Sequence, residues 1–148
     1  MDDKQHHVLI VDDVQDNLDL LQRILEGWDY SVGFALDGFA ALDLARQNPF
    51  DAIILDIMMP GIDGIETCRR IREDLELHTV PIIMLTGMDD NTTLAKCLEV
   101  GADDFIAKPF NRIVLRARLE SAIRRKELED VILNTNQYLE QKVSERTS

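Results

Sequence analysis

In this chain of 148 residues, short apolar runs end on acidic, hydroxyl or ammonium side chains at four places. Val8-Leu9-Ile10-Val11 runs into Asp12-Asp13, and Ala52-Ile53-Ile54-Leu55 into Asp56. Pro81-Ile82-Ile83-Met84-Leu85 runs into Thr86-Gly87, and Asp103–Ala107 into Lys108-Pro109. Three carboxylates, one hydroxyl and one ammonium are the groups that hold a small hard cation beside a phosphoryl group. Two carboxylates about 4 Å apart repel by about 4 kcal/mol at an effective dielectric near 20. Such a cluster therefore needs a cation or altered protonation. Mg²⁺ suits it, because that ion takes one or two carboxylates beside phosphate and keeps several waters.

These groups are far apart in sequence, so a fold must gather them. Tyr30–Ala35 reads as a further strand, giving five β-type runs. Between them stand helical patterns: Leu18, Leu21, Ile24 and Leu25; Ala40–Ala45; Ile65, Cys68, Ile71 and Leu75; and Leu94, Cys97 and Leu98. Pro60-Gly61 and Asp63-Gly64 punctuate a loop. Alternation of this kind predicts an α/β fold, a doubly wound five-stranded parallel sheet with helices on both faces. In an open parallel sheet the carboxyl ends of the strands share one edge, where ligands bind at a switch in strand order. From Asn111 the pattern becomes one helix. Ile113, Val114, Ala117, Ala122 and Ile123 are expected to close the sheet. No Gly or Pro then occurs through Ser148, so this last helix would extend for about 50 Å, beyond the domain.

Charge divides the chain at the same place. Residues 1–110 carry 22 acidic and 8 basic side chains, and residues 111–148 carry 6 and 8, for a formal charge of −12. A field of that sign argues against direct nucleic-acid or anionic-membrane partners. No apolar run is long enough to span a bilayer and no secretory signal is visible, so a cytoplasmic location is expected. Cys68 and Cys97 read as reduced core fillers, and His6, His7 and His78 as surface residues. Trp28 and Tyr30 are expected to pack the end of the first helix. Each polar strand-end residue has a plainer use when taken alone. Asp13 could cap the helix carrying Leu18, Asp56 could end a turn, and Lys108 could be a solvated charge.

Taken together, Val8–Asp13, Asp56-Ile57-Met58-Met59-Pro60-Gly61, Thr86-Gly87 and Lys108-Pro109-Phe110 resemble the receiver domain of two-component response regulators, a flavodoxin-like fold. The resemblance covers about residues 6–126, and every motif falls in order. It implies a phosphoacceptor signalling domain rather than an enzyme, with self-phosphorylation from small donors and slow self-dephosphorylation as its only chemistry. Asp56 would accept the phosphoryl group from a phosphohistidine of a sensor histidine kinase or histidine phosphotransfer protein. Asp13 would bind Mg²⁺ directly and Asp12 mainly through water, with Asp56 and the backbone carbonyl of Met58 completing the protein's ligands. Lys108 would pair with the phosphoryl oxygens, and Pro109 would be cis. Thr86 and Phe105 would be the switch pair, acting on a face made of helix 4, strand 5 and helix 5. Met58 and Met88 stand where many family members carry polar residues that orient a hydrolytic water. Their apolar side chains are expected to shield the acyl phosphate and slow its loss.

On this reading residues 1–126 form the receiver and 127–148 a helical connector. Leu128, Ile132, Leu139 and Val143 form an interrupted seam, expected to pair with a second copy in a parallel coiled coil. The connector resembles those that join receivers to output domains. None lies within these residues, and one is expected beyond residue 148 in a longer parent chain. One rival is a passive dimerisation module with an unused phosphosite. Another is a Mg²⁺-dependent phosphatase with an aspartate nucleophile, whose motif needs a second Asp where Met58 stands.

Overall fold

The computed structural model describes residues 5–87 and 91–147, with side chains as far as residue 132. Five strands, β1 (His7–Val11), β2 (Ser31–Ala35), β3 (Ala52–Asp56), β4 (Ile82–Thr86) and β5 (Asp104–Ala107), alternate with five helices. The helices are α1 (Gln15–Gly27), α2 (Gly38–Gln47), α3 (Gly64–Glu73), α4 (Asn91–Glu99) and α5 (Arg112–Thr147). All strand pairs are parallel, in the order β2-β1-β3-β4-β5. The chain leaves β1 for β2 on one side and later fills β3 on the other. Strand order therefore reverses between β1 and β3.

The two-residue period of a strand sends alternate side chains to opposite faces, which divides the core. Leu9, Val11, Ile53, Leu55, Ile82 and Met84 pack against Ala41 and Leu42 of α2, Cys68 and Ile71 of α3, and Cys97 of α4. Val8, Ile10, Ile54, Ile83, Leu85 and Ile106 meet Leu18, Leu21 and Leu25 of α1 on the other face. That face is completed by Leu115, Leu119, Ala122 and Ile123 of α5. Cys68 and Cys97 are free and fully buried, and burial pushes the Cys68 thiol up to about 12.

Asp56 and Thr86 end their strands, in keeping with their place at the ends of apolar runs. Other expectations need correction. Pro81 precedes β4, although its carbonyl still accepts from Ile53 N at 2.9 Å. Leu75 lies beyond the end of α3, and Leu98 is exposed on α4. The inward stripe of α5 starts at Leu115. Ile113, Val114 and Ala117 point away from the core, because Leu115, Leu119, Ala122 and Ile123 form the stripe packed on the sheet; Asn111 Oδ1 caps the helix, accepting from Ile113 N at 2.8 Å. His6 has a partner, Glu127 on α5, and its ring lies 6.3 Å from that of Tyr30.

An arginine that the sequence did not single out ties one face together. Arg72, with a side chain only 11% exposed, donates from Nε to Gly101 O at 3.0 Å. Its Nη1 donates to Leu77 O at 2.9 Å and Val80 O at 2.6 Å, and its Nη2 to Asp103 Oδ2 at 2.8 Å. Asp103 Oδ2 also accepts from Ile82 N at 2.9 Å. One side chain thus joins α3 to the loops entering β4 and β5. Removing it strands three carbonyls and a carboxylate, so Arg72→Ala is expected to lower unfolding free energy by about 2–4 kcal/mol. Urea denaturation measures this, and a loss under about 0.5 kcal/mol, typical of a plain surface substitution, would contradict it.

Candidate functional site

Register brings the polar strand ends to one edge. Val11 is level with Leu55, Asp56 with Leu85, and Thr86 with Ala107. Asp12 and Lys108 follow the ends of β1 and β5, so both reach the crevice where strand order reverses. One carboxylate oxygen from each of Asp12, Asp13 and Asp56 can be chosen so that all three lie within 4.8 Å of one another. Asp12 and Asp56 are buried, whereas Asp13 is exposed.

Lys108 stands between the two buried carboxylates, with Nζ 3.0 Å from Asp56 Oδ1 and 3.5 Å from Asp12 Oδ2. Asp12 Oδ1 accepts from Val14 N at 3.0 Å, and Oδ2 from Asn17 Nδ2 at 3.1 Å. The N-cap of α1 is Val14, with no side-chain cap bond, so Asp13 is not used to start that helix. Thr86 is buried at the end of β4, and its carbonyl accepts from Lys108 N at 2.7 Å. The Lys108–Pro109 peptide is cis. Phe105 is half-buried and packs toward the α3 and α4 face. The Met58 side chain is 63% exposed. Met88 lies outside the described residues, as do the side chains of Leu139 and Val143. Leu128 and Ile132 are exposed on α5, together with Val131.

The backbone around Asp56 is held from both sides. Ile57 N donates to Leu85 O at 3.1 Å, and Gly64 N donates to Ile57 O at 2.8 Å. Asp63, the N-cap of α3, accepts from Glu66 N at 2.8 Å. This seats Gly64 so closely that a Cβ there would lie 2.2 Å from the Asp56 carbonyl oxygen and 2.7 Å from Ile57 Cα. Asp63-Gly64 had signalled only a turn. The adjacency of Gly64 to Asp56 is a tertiary fact.

Electrostatics follow from this packing. Burial raises the Asp56 carboxyl above 3.8, against hydrogen bonding and charge from Lys108, while Asp12 adds repulsion. Burial works to lower Lys108, but the hydrogen bond and charge of Asp56, with Asp12, leave it raised. Three carboxylates beside one ammonium leave excess negative charge in the crevice. Their all-oxygen donor set fits a divalent hard cation such as Mg²⁺. In metal-free protein, the native state keeps the Asp56 proton at pH values where the unfolded chain has lost it. Stability contributed by this group is therefore greatest below 3.8 and falls as pH rises through the elevated folded value. Asp56→Asn should remove that slope from chelator-treated protein in urea titrations across acidic pH. An unchanged slope would contradict the assignment. Beside the crevice, a cavity of about 280 Å³ is lined by Asp12, Asn17, Leu20, Leu21, Lys108 and Phe110, among others.

A family model for the response regulator receiver domain matches residues 8–120. The chain is 41% identical over 122 residues to the transcriptional regulatory protein CseB of Streptomyces avermitilis, covering 82% of this chain and 51% of that protein. It is 38% identical over 117 residues to the response regulator PleD of Caulobacter vibrioides, covering 79% of this chain and 26% of that protein. The chain thus spans about half the length of the first relative, and less of the second. The crystal structure of a CheY-like receiver domain protein from Methanospirillum hungatei superposes with a TM-score of 0.80 at 28% identity, covering 85% of this chain and 99% of that one.

Proposed function

Because the chain belongs to the response regulator receiver domain family, we propose that Asp56 accepts a phosphoryl group from a phosphohistidine in a Mg²⁺-dependent reaction. The donor is a sensor histidine kinase or histidine phosphotransfer protein. A carboxylate oxygen of Asp56 attacks phosphorus, the P–N bond breaks, and imidazole leaves with its electron pair. The product is an acyl phosphate on Asp56. The observation that carries this reading is Lys108, held 3.0 Å from Asp56 and 3.5 Å from Asp12 at the strand-order switch.

Mg²⁺ would be held by Asp13 and Asp56, by Asp12 through water and by the Met58 carbonyl, and it would neutralise phosphoryl oxygens during transfer. Lys108 moves from the carboxylate to the new phosphoryl oxygens, keeping one positive charge at the reacting centre. The Thr86 hydroxyl turns toward the same group. A hydrogen bond to an anionic oxygen contributes about 1.5–3 kcal/mol, enough to shift a two-state element about tenfold to a hundredfold. That shift reaches the surface of α4, β5 and α5 through Phe105. Residues 127–148 act as a helical connector to an output domain in a longer parent chain, and pair with a second copy through the seam that begins at Leu128 and Ile132. The setting is cytoplasmic. In support, no described helix is long and apolar enough to cross a membrane.

The test uses acetyl phosphate and Mg²⁺, followed by intact mass and oligomeric state. A single phosphoryl adduct with increased dimer supports the reading. Rapid turnover of phosphate esters would instead make this an aspartate-nucleophile phosphatase, and no adduct would leave a passive dimerisation module. Met58 presents an apolar side chain along the route of a hydrolytic water, and Met88 is the apolar residue two after Thr86 in sequence, so the adduct should persist for minutes or longer after donor removal. Decay within seconds would contradict shielding, and Met58→Ala should not lengthen the lifetime appreciably.

A further inference from the structure

We propose that Asn17 is a positioning residue, which holds the Asp12 carboxylate for the divalent cation while Lys108 engages the phosphoryl group. The inference rests on the metal-dependent phosphoacceptor reading. Asp12 is buried and ionisable, so its orientation must be set by protein donors. Among the described residues three reach it: Val14 N on Oδ1 at 3.0 Å, and Asn17 Nδ2 and Lys108 Nζ on Oδ2 at 3.1 and 3.5 Å. Lys108 is the longest of these contacts and is shared with Asp56 at 3.0 Å. Once a phosphoryl group forms on Asp56, its oxygens compete for the ammonium, and the 3.5 Å contact is the weakest held.

Asn17 does not share that conflict. It sits in the first turns of α1, half-buried, and its amide reaches back to the residue that ends the β1 run. The donor is neutral, so it fixes Oδ2 without adding a positive charge that would oppose the cation. A lysine at this position would lower cation affinity by repulsion, and an aliphatic residue would leave Oδ2, among the described donors, to Lys108 at 3.5 Å. Side chains that orient metal ligands are worth about tenfold or more in metal affinity when removed.

The test compares the parent protein with Asn17→Ala and Asn17→Leu. Mg²⁺ alone is titrated by calorimetry, and thermal unfolding is followed in chelator. Leu fills the space but cannot donate, which matters because Asn17 also lines the neighbouring apolar cavity. Both variants are expected to bind Mg²⁺ about tenfold more weakly than the parent while remaining folded in chelator. Restored affinity in Asn17→Leu would assign the effect to packing and overturn the proposal. Unaltered affinity in both variants would overturn it too, whether or not the metal-free midpoint falls. A parent protein that binds no Mg²⁺ would overturn the phosphoacceptor reading itself, and this inference with it.

Discussion

Asp56→Asn protein is expected to show no phosphoryl adduct after incubation with acetyl phosphate and Mg²⁺, while remaining folded. The amide keeps the size of the carboxylate but is a far weaker nucleophile at phosphorus, so the loss should reach the detection limit of intact-mass measurement. Folding should survive, because the substitution removes a buried charge whose ionisation is already opposed by desolvation. The amide also retains an oxygen that can accept from Lys108. Lys108→Ala separates nucleophile from electrostatics: Asp56 stays in place, and the rate of adduct formation should fall about 10- to 100-fold, as expected for one lost charge-assisted hydrogen bond. Persistence of a full adduct in Asp56→Asn would move the acceptor elsewhere and sink the assignment.

The second large effect is on stability. Gly64→Ala should destabilise the fold by about 3 kcal/mol or more, because the new methyl would meet backbone rather than a yielding side chain. The clash is with the carbonyl oxygen of Asp56 at 2.2 Å and with Ile57 Cα at 2.7 Å. Relief requires α3 to retreat from the end of β3, which would also break the bond from Gly64 N to Ile57 O. Urea unfolding and adduct yield should therefore fall together. Gly27→Ala is the control, since a Cβ there meets nothing within 4 Å. A Gly64→Ala protein as stable as that control would refute the close approach.

Period and punctuation carried much of the architecture. Continuous apolar runs of four or five residues marked strands buried on both faces, and the 3.6-residue spacing of Leu18, Leu21 and Leu25 marked α1. The apolar part of the site was legible only as runs that end in charge. The rotation of α5 was less legible, because Ile113, Val114 and Leu115 are all apolar and consecutive. Packing in the same buried cluster as Ile106 and Leu85 selects Leu115 as the inward residue. Arg72 is one of three arginines on α3, and nothing local in the sequence sets it apart. Its role depends on Leu77, Val80 and Gly101 arriving around it from separate segments.

The sequence by itself determined the α/β alternation, the strand-end residues Asp12, Asp13, Asp56, Thr86 and Lys108, and the change to a single near-neutral helix after residue 110. These are local properties, written in residue type and period. Tertiary structure alone decided which carboxylates are buried, which two share the Lys108 ammonium, and that Asn17 and Gly64 lie against them. Those facts depend on strand order and on contacts between residues distant along the chain. No local preference encodes a distance between β1, β3 and the end of β5; the packed sheet does.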